Sequence, residues 1–576
     1  MKTYNPGQSI LLDNNPNRNG MGRILSDWRL WIIICLAFFL RCVWLFSYTQ
    51  VIENEGAVYA RLAESLFAGK GYIWTSGGRH TLFPPLYPLL IGAVSYATGN
   101  TETAGRLISL LMGTLLPLSI FLLTGMVFGR RGALVAAALV AVHPMFIALS
   151  GSVYSESLYF TIWIFGIYFA LQTLRGNVLR HAVLAGLFFG IAYLVRPEAI
   201  AYSFLTAIWV LMSAVLQRLE IRNALLRAAA ATLVTAVVAT PYVVWLSANS
   251  GYIRLEGKSV INNIHSKRMI QGMNYQEAGY GLGPNGEVEG PYLFENQFDI
   301  VRDDTSDTKA LISFVFRDLG YRGLKLGWHV VRTRTIGSPI LVILAVIGFL
   351  IVGYSHRRVF EEGFLALVVV AYLVMLLSLR WWWNRFLFPL ALIITPWAGA
   401  GVSQITRWIQ ERADVPAGNK SLRSRLAAAM AACIIFASMI IPSVIAVLGD
   451  ATFNITRFTA LREAGQWLYA QEGGNKSYMG NSAVFAYYAH GTRMYLPYAS
   501  ESVTLEYIHR KNPDFIVLRE DDRNKRPYIG KWLQSGIPDK CASEIKRIRQ
   551  VDSLGLQSHH EELIIYKWLC PSGATD

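Results

Sequence analysis

"VIENEGAVYARLAESLFAGKGY" (residues 51–72) follows closely on an apolar run, "LWIIICLAFFLRCVWLF" (30–46), interrupted only by Arg41. A run of about 17–25 apolar residues is enough to cross a bilayer. The chain leaves this one straight into two glutamates, Glu53 and Glu55. A segment of helical Tyr/Ala/Leu spacing then closes on "GKGY" (69–72). A plain anchor has no use for such a segment. Which side of the membrane receives it decides how the rest of the chain folds.

Composition sets the class. Of 576 residues, 53% are hydrophobic and 16% charged, against roughly 25% charged in soluble domains. This is an integral membrane chain with some soluble mass. The net charge of +15 is topological rather than a nucleic-acid footprint, because Lys and Arg concentrate in cytoplasmic loops; no nucleic-acid partner is expected. Cys35, Cys42 and Cys433 lie in apolar runs, as small buried hydrophobes do. Cys541 and Cys570 lie in the polar C-terminal part and form a disulfide if that part is exported. No CxxC or His/Cys zinc spacing occurs. Residues 1–28 read as a disordered cytoplasmic N-terminus without a signal-peptide pattern, so the first span is expected to stay.

Eleven apolar runs, the first included, are read as crossings, near 30–48, 104–128, 132–150, 156–173, 181–197, 199–216, 223–247, 337–354, 364–380, 386–406 and 425–448. Basic residues cluster at Arg130/Arg131, Arg175/Arg180, Arg218/Arg222/Arg227, Arg357/Arg358 and 407–425. The positive-inside rule makes these loops cytoplasmic, with the N-terminus. Only one crossing then fits between the first span and "FGRRG" (128–132), so the short piece 84–99, opening on Pro84 and Pro85, is expected to lie at the outer leaflet without crossing. The acidic turn falls outside. With it go the loop 49–103, the turn "SGSVYSES" (150–157), "RPE" (196–198), the long loop 248–336, "RWWWNR" (380–385) and the tail 450–576. Within the long loop, 308–328 is amphipathic and expected to lie along the membrane surface. The fold class is thus a polytopic α-helical membrane protein of about 11 spans (11–13), its transmembrane domain covering 29–449, with a small C-terminal α/β domain. In that tail "KSYMGN", "DFIVLR" and "EELIIYKWL" read as strands and "ESVTLEYIHRKN" as a helix.

The outer face collects the groups able to do chemistry. Glu53 and Glu55 are either solvated loop charge or a general base, which must reach the proton it removes. Glu156 suits a helix N-terminus by charge, or serves as a second carboxylate. Arg196 and Glu198 form a local pair or face a cavity, since ionisable groups at membrane depth are costly. Arg41 interrupts the first span and either snorkels outward or meets a carboxylate or phosphate. In "LRWWWNRFLFP" (379–389) the tryptophans suit an interfacial belt, and Arg380 and Arg385 offer forks for a phosphate. Arg79 and His80, and Lys258, His265, Lys267 and Arg268, are weaker candidates of the same kind. Carboxylates, arginines and aromatic faces at headgroup depth suit transfer of a sugar from a lipid phosphate.

An acidic residue, a tyrosine, Ala and Leu at helical spacing, "GKGY" and then "PPLYPLL" (84–90) together resemble the first outer loop of the polyprenyl-phosphate-sugar-dependent glycosyltransferases. These belong to the glycosyltransferase C superfamily, with the protein O-mannosyltransferases and the lipid A aminoarabinose transferase. Residues 105–158, "GLFFGIAYLVRPEA" (186–199) and "RFLFP" (385–389) extend the resemblance over most of 30–406. The resemblance implies that Glu55, four residues before Tyr59, is the first-loop acid and catalytic base. The usual Asp-Glu pair reads Glu55-Gly56 here, so Glu53 remains a competitor. It implies Glu156 as the second acid and Arg385 as the lipid-phosphate ligand, with Arg380, Arg196, Arg79, His80, Arg41 and Tyr59 as further candidates. Metal use is left open, with Glu55 and Glu156 as ligands where a divalent ion is bound. The implied partners are a polyprenyl-phosphate sugar donor, a glycan, lipid or protein acceptor, and membrane lipids. The implied place is a bacterial inner membrane, with the tail periplasmic. A lipid-linked sugar flippase or transporter is the rival reading, against which the lack of internal repeats counts; a scaffold whose tail alone is functional is the third.

Overall fold

The computed structural model describes residues 27–48, 51–175, 178–288, 319–331, 339–351, 356–378, 384–414, 422–551 and 560–570. The helices in chain order begin with α1 (Trp28–Tyr48), α2 (Asn54–Phe67), α3 (Leu86–Thr98), α4 (Thr101–Val142) and α5 (Pro144–Ser150). They continue with α6 (Glu156–Arg175), α7 (Leu179–Tyr193), α8 (Ala199–Leu216), α9 (Ile221–Ser250), α10 (Lys258–Ile270) and α11 (Tyr275–Tyr280). Then come α12 (Leu319–Val331), α13 (Pro339–Ile351), α14 (His356–Ser378), α15 (Phe388–Asp414) and α16 (Leu422–Glu472).

Eight helices among the described residues are long and apolar enough to cross a bilayer. α4 folds back on itself at Gly129, whose φ of 78° only glycine adopts without strain; its two limbs match two of the expected spans. α7 and α13 are shorter apolar helices and lie where two more were expected. α3 has 13 residues, about 20 Å at the usual rise, too short for a hydrocarbon core of about 30 Å. α4, α6 and α15 are mostly buried, whereas α1, α9 and α16 expose most of their apolar surface. Exposed Leu233, Val237, Ile434 and Ile445 give those outer helices a lipid-compatible face.

The bundle has two chemically distinct ends. At one, Asp27 takes Arg130 at 2.7 Å and Arg175 pairs with Glu361 at 2.8 Å. At the other lie Glu156, one end of the same helix that carries Arg175, and the turn that opens α2. Of the amphipathic segment expected over 308–328, residues 308–318 lie outside the described residues. Its remainder forms α12, tied to the end of α14 by Arg322 Nη1 donating to the Leu377 carbonyl at 2.6 Å.

α16 runs without a break from the bundle into the tail. There follow β1 (Ser477–Met479), α17 (Ala483–Tyr488), β2 (Thr492–Met494), α18 (Glu501–Lys511), β3 (Phe515–Arg519), α19 (Ile529–Ser535), β4 (Ala542–Val551) and β5 (His560–Trp568). The sheet order is β2-β1-β3-β5-β4. β1 pairs in parallel with β2 and β3, and β5 lies antiparallel between β3 and β4. The three expected strands and the expected helix are β1, β3, β5 and α18. β4, "ASEIKRIRQV", is an addition. Its Ile545, Ile548 and Val551 are spaced by three, which reads as helical, but a bulge between Glu544 and Lys546 shifts the register. Cys541 and Cys570 are joined in a disulfide that ties the start of β4 to the residues after β5.

Candidate active site

The site is assembled around Val153. Glycine at 56 and at 105 lets this side chain and its backbone wedge between α2 and α4. A Cβ on Gly56 would stand 2.8 Å from the Val153 carbonyl oxygen, and one on Gly105 would stand 2.5 Å from Val153 Cγ1. The close approach explains why glycine follows Glu55 in this chain. It sets the turn 151–155 against the first residues of α2, so that the Tyr154 hydroxyl donates to Glu53. The Tyr59 hydroxyl lies 3.3 Å from Glu55 Oε1 and 3.2 Å from Ser155 Oγ. Tyr59 is itself locked edge-on against Tyr87, ring centres 5.0 Å apart.

Three turns from distant parts of the chain complete the cluster. The turn over Asn384–Leu387, held to α14 by Tyr372 donating to the Phe386 carbonyl at 2.6 Å, presents Arg385. Its Nη1 pairs directly with Glu55 Oε2 and lies 3.8 Å from Glu156 Oε1. Its guanidinium sits 5.5 Å from the centre of the Tyr154 ring. The turn between α7 and α8 presents Arg196, which binds Glu156 at 2.9 Å and Glu198 at 2.7 Å. Lys258 begins α10 and lies over the Phe83 ring at 5.6 Å. The loop before it is folded by Arg254, which donates to the carbonyls of Glu256 and Gly257, each at 3.0 Å.

The carboxyls are not equivalent. Burial raises the Glu53 carboxyl above its ordinary range, and the Tyr154 hydrogen bond and Arg385 offset this only in part. Burial also acts on Glu55, but Arg385, then Lys258 and Arg196, outweigh it and hold this carboxyl below the ordinary range. Burial and then Arg196 lower the Lys258 ammonium, against the pull of Glu198 and Glu55. Glu156 Oε2 is buried without a hydrogen-bond partner, a spare acceptor inside the cluster, where an unmet polar atom calls for an explanation.

Glu53, Glu55, Tyr59, Glu156, Arg196 and Arg385 therefore come together from the sequence candidates. Arg41 does not join them. It is fully buried in α1, and its Nε donates to Ser150 Oγ at 3.1 Å while Nη1 donates to the carbonyls of Ala37 and Ala141, each at 3.0 Å. Arg79 is exposed and donates to Asn249. His80 shapes its own loop: it stacks on Trp74 at 4.5 Å, and its Nε2 accepts from the Phe83 amide at 3.0 Å. Arg380 lies outside the described residues. Tyr154, Ser155 and Tyr372 were not singled out from sequence; only Tyr154 and Ser155 carried a signal, being inside the quoted turn "SGSVYSES".

The cluster is a poor match to a divalent ion. Glu55 and Glu156 both face the Arg385 guanidinium, whose charge fills the space between them. Among the described residues the group of three or more ligand-type side chains drawn close enough together is His509, Cys541 and Cys570, far along the chain and with its sulfurs joined. Two carboxylates can hold Mg²⁺ when waters and substrate phosphates complete its shell, so it is the arginine pairing, not the number of oxygens, that counts against an ion here.

Residues 83–245 match the family model described as dolichyl-phosphate-mannose-protein mannosyltransferase. No curated protein sequence matches the chain. Among solved structures, the archaeal oligosaccharyltransferase AglB from Archaeoglobus fulgidus, in complex with an inhibitory peptide and a dolichol-phosphate, is 15% identical, with a TM-score of 0.59 over 93% of this chain and 76% of that one. The same organism's oligosaccharyltransferase in complex with Zn and sulfate is 16% identical, with a TM-score of 0.58 over 92% of this chain and 72% of that one. ArnT from Cupriavidus metallidurans bound to undecaprenyl phosphate is 12% identical, with a TM-score of 0.55 over 95% of this chain and 98% of that one. At such identities the likeness is one of fold: the chain shares its overall architecture with these membrane proteins. The family match covers Glu156, Arg196 and Glu198 and stops short of Glu53, Glu55 and Arg385.

Proposed function

We propose that the protein is an integral-membrane, inverting glycosyltransferase that moves a sugar from a polyprenyl-phosphate donor to a hydroxyl of a glycan, lipid or protein acceptor. The face is the outer one of a bacterial inner membrane, with the N-terminus cytoplasmic and the tail periplasmic. The observation that carries this is the single junction of Glu55, Glu156 and Arg385. It joins a base and a phosphate ligand at the end of the bundle away from Arg130, Arg131 and Arg175. The donor class is supported by the dolichol-phosphate in the AglB structure and the undecaprenyl phosphate in the ArnT structure.

In this reaction Glu55 takes the proton of the acceptor hydroxyl. The hydroxyl oxygen bonds to the anomeric carbon, the bond from that carbon to the phosphate oxygen breaks, and polyprenyl phosphate leaves with the electron pair. A base must lie within hydrogen-bond reach of its proton. Arg385 turns from Glu55 to the phosphate when the donor binds, so its charge is in place before charge grows on the leaving oxygen, and such preset charge is a large contribution to rate. That turn also releases a Glu55 oxygen for the proton. Glu156 Oε2 is the spare acceptor for a sugar hydroxyl, with Arg196 holding the rest of that carboxylate in place. Glu53, nearer its neutral form, is the alternative proton carrier. No step is assigned to a metal.

The test is reconstitution of the full chain with polyprenyl-phosphate sugars of several kinds and measurement of polyprenyl phosphate released. Consumption of donor by wild type, lost in Glu55→Gln, is expected. Donor carried across the bilayer and never consumed would make the protein a flippase instead.

A further inference from the structure

The tail touches the catalytic turn through one short element, and that contact gives the tail a role. α17 (Ala483–Tyr488) lies along α2 and is gripped at both ends by α2 side chains. At its start, Asn54 Oδ1 accepts from the Ala483 amide at 3.0 Å and from Ser482 Oγ at 3.3 Å. At its other end, Arg61 Nη2 donates to the carbonyls of Ala486 at 3.3 Å and Gly491 at 3.2 Å. Further contacts surround the grip. The Tyr488 hydroxyl accepts from the Ile52 amide at 3.5 Å and donates to Glu102 at 2.8 Å. The Tyr487 hydroxyl lies 3.0 Å from Thr101 Oγ1, which donates to Glu64 at 3.1 Å. Asn54 stands between Glu53 and Glu55, so whatever fixes its side chain fixes the backbone from which both carboxylates project. Glu53 makes no capping bond to the start of α2, so the turn is tied to the tail by Asn54 at 3.0 Å and, more loosely, by the Ile52 amide on Tyr488 at 3.5 Å.

We propose that the tail is a brace for the catalytic turn, and that Asn54 is a positioning residue that sets both neighbouring carboxylates by holding the start of α17. The consequence for turnover rests on the transferase reading above; the brace itself does not.

Ala483 is the first residue of α17, where proline is tolerated because the missing amide hydrogen has no partner within the helix. Ser482 before it is already extended, with ψ of 122°, as a residue preceding proline must be. Ala483→Pro therefore removes the shorter of the two bonds to Asn54 from the tail side, leaving that of Ser482 Oγ, and Asn54→Ala removes both. In the full chain, each variant is expected to speed hydrogen exchange of the α2 amides about fivefold or more. Each should lower kcat about tenfold, as a small misplacement of a reacting group does, with donor KM within about twofold. The double variant should be no worse than Asn54→Ala alone. A role confined to folding of the tail would lower the unfolding temperature and leave kcat where it is. Unchanged α2 exchange in both single variants, or losses that add in the double variant, would overturn the brace. If wild type consumes no polyprenyl-phosphate sugar, the transferase reading falls, and the exchange result still decides the brace.

Discussion

Arg41 lies within a helix of membrane-spanning character and Arg385 on the turn that leads into another, and they meet opposite partners. Arg41 is sealed inside the bundle among two carbonyls and a serine, and among the described residues it bonds to no carboxylate. Arg385 is half-buried at the end of the bundle, paired with Glu55 and within 3.8 Å of Glu156. A buried charge held through Nε and Nη1 by neutral acceptors ties α1 to the residues around α5. A guanidinium shared between carboxylates can trade one anion for another, which is what binding a phosphate requires. Residue type and membrane depth alone do not separate the two; the charge of the partners does.

That difference is open to attack at several points. The largest effect is expected from Glu55→Gln, which should lower turnover roughly 10²–10⁴-fold, the usual worth of a positioned acid or base; the rate of polyprenyl phosphate release reads it. If Glu55→Gln keeps full turnover and Glu53→Gln does not, the base is the neighbour. Next is Arg385→Ala, expected to cost about 10²–10³-fold in kcat, as loss of a charge-stabilising donor does. Arg385→Lys should recover only part of this, since a point charge cannot span two anions as a fork does. Gly56→Ala follows. Its methyl meets the Val153 carbonyl at 2.8 Å, and overpacking of this kind costs about 1–3 kcal/mol. Thermal unfolding should register the loss, and activity should fall with it because the turn 151–155 is pushed away from Glu53 and Glu55. The smallest effect is expected from Arg41→Met, with kcat and donor KM both within about twofold of wild type. A tenfold rise in donor KM there would place Arg41 in the phosphate site and erase the contrast with Arg385.

Part of the site was legible in the chain because it is local. Glu55 and Tyr59 are four residues apart on α2, so they share a face, and "RPE" keeps Arg196 beside Glu198 by adjacency alone. Glu156 was marked by its place at the start of an apolar run. Arg79 and His80 looked equally suitable by type, yet one reaches Asn249 and the other stacks on Trp74. Their direction depends on how the loop 72–83 closes. Tyr154 was inside a quoted turn but has no period or motif to mark it; its part follows from Val153 being wedged against two glycines. In the tail, β3 and β5 were readable from continuous apolar runs, and β1 from the short piece "KSYMGN". β4 was not, because a bulge breaks the alternation on which strand reading depends.

By itself, the sequence determined that this chain lives in a membrane, where its apolar runs begin and end, and which end of the bundle carries the acids. Those properties follow from residue-by-residue transfer free energies and from the count of basic residues per loop, which are additive along the chain. Only the tertiary structure decided which arginine faces a carboxylate, why Gly56 must be a glycine, and that α17 grips the turn at Asn54. Each of those depends on distances between segments from about 100 to more than 400 residues apart, and no local pattern encodes such distances; close packing of three-dimensional surfaces does.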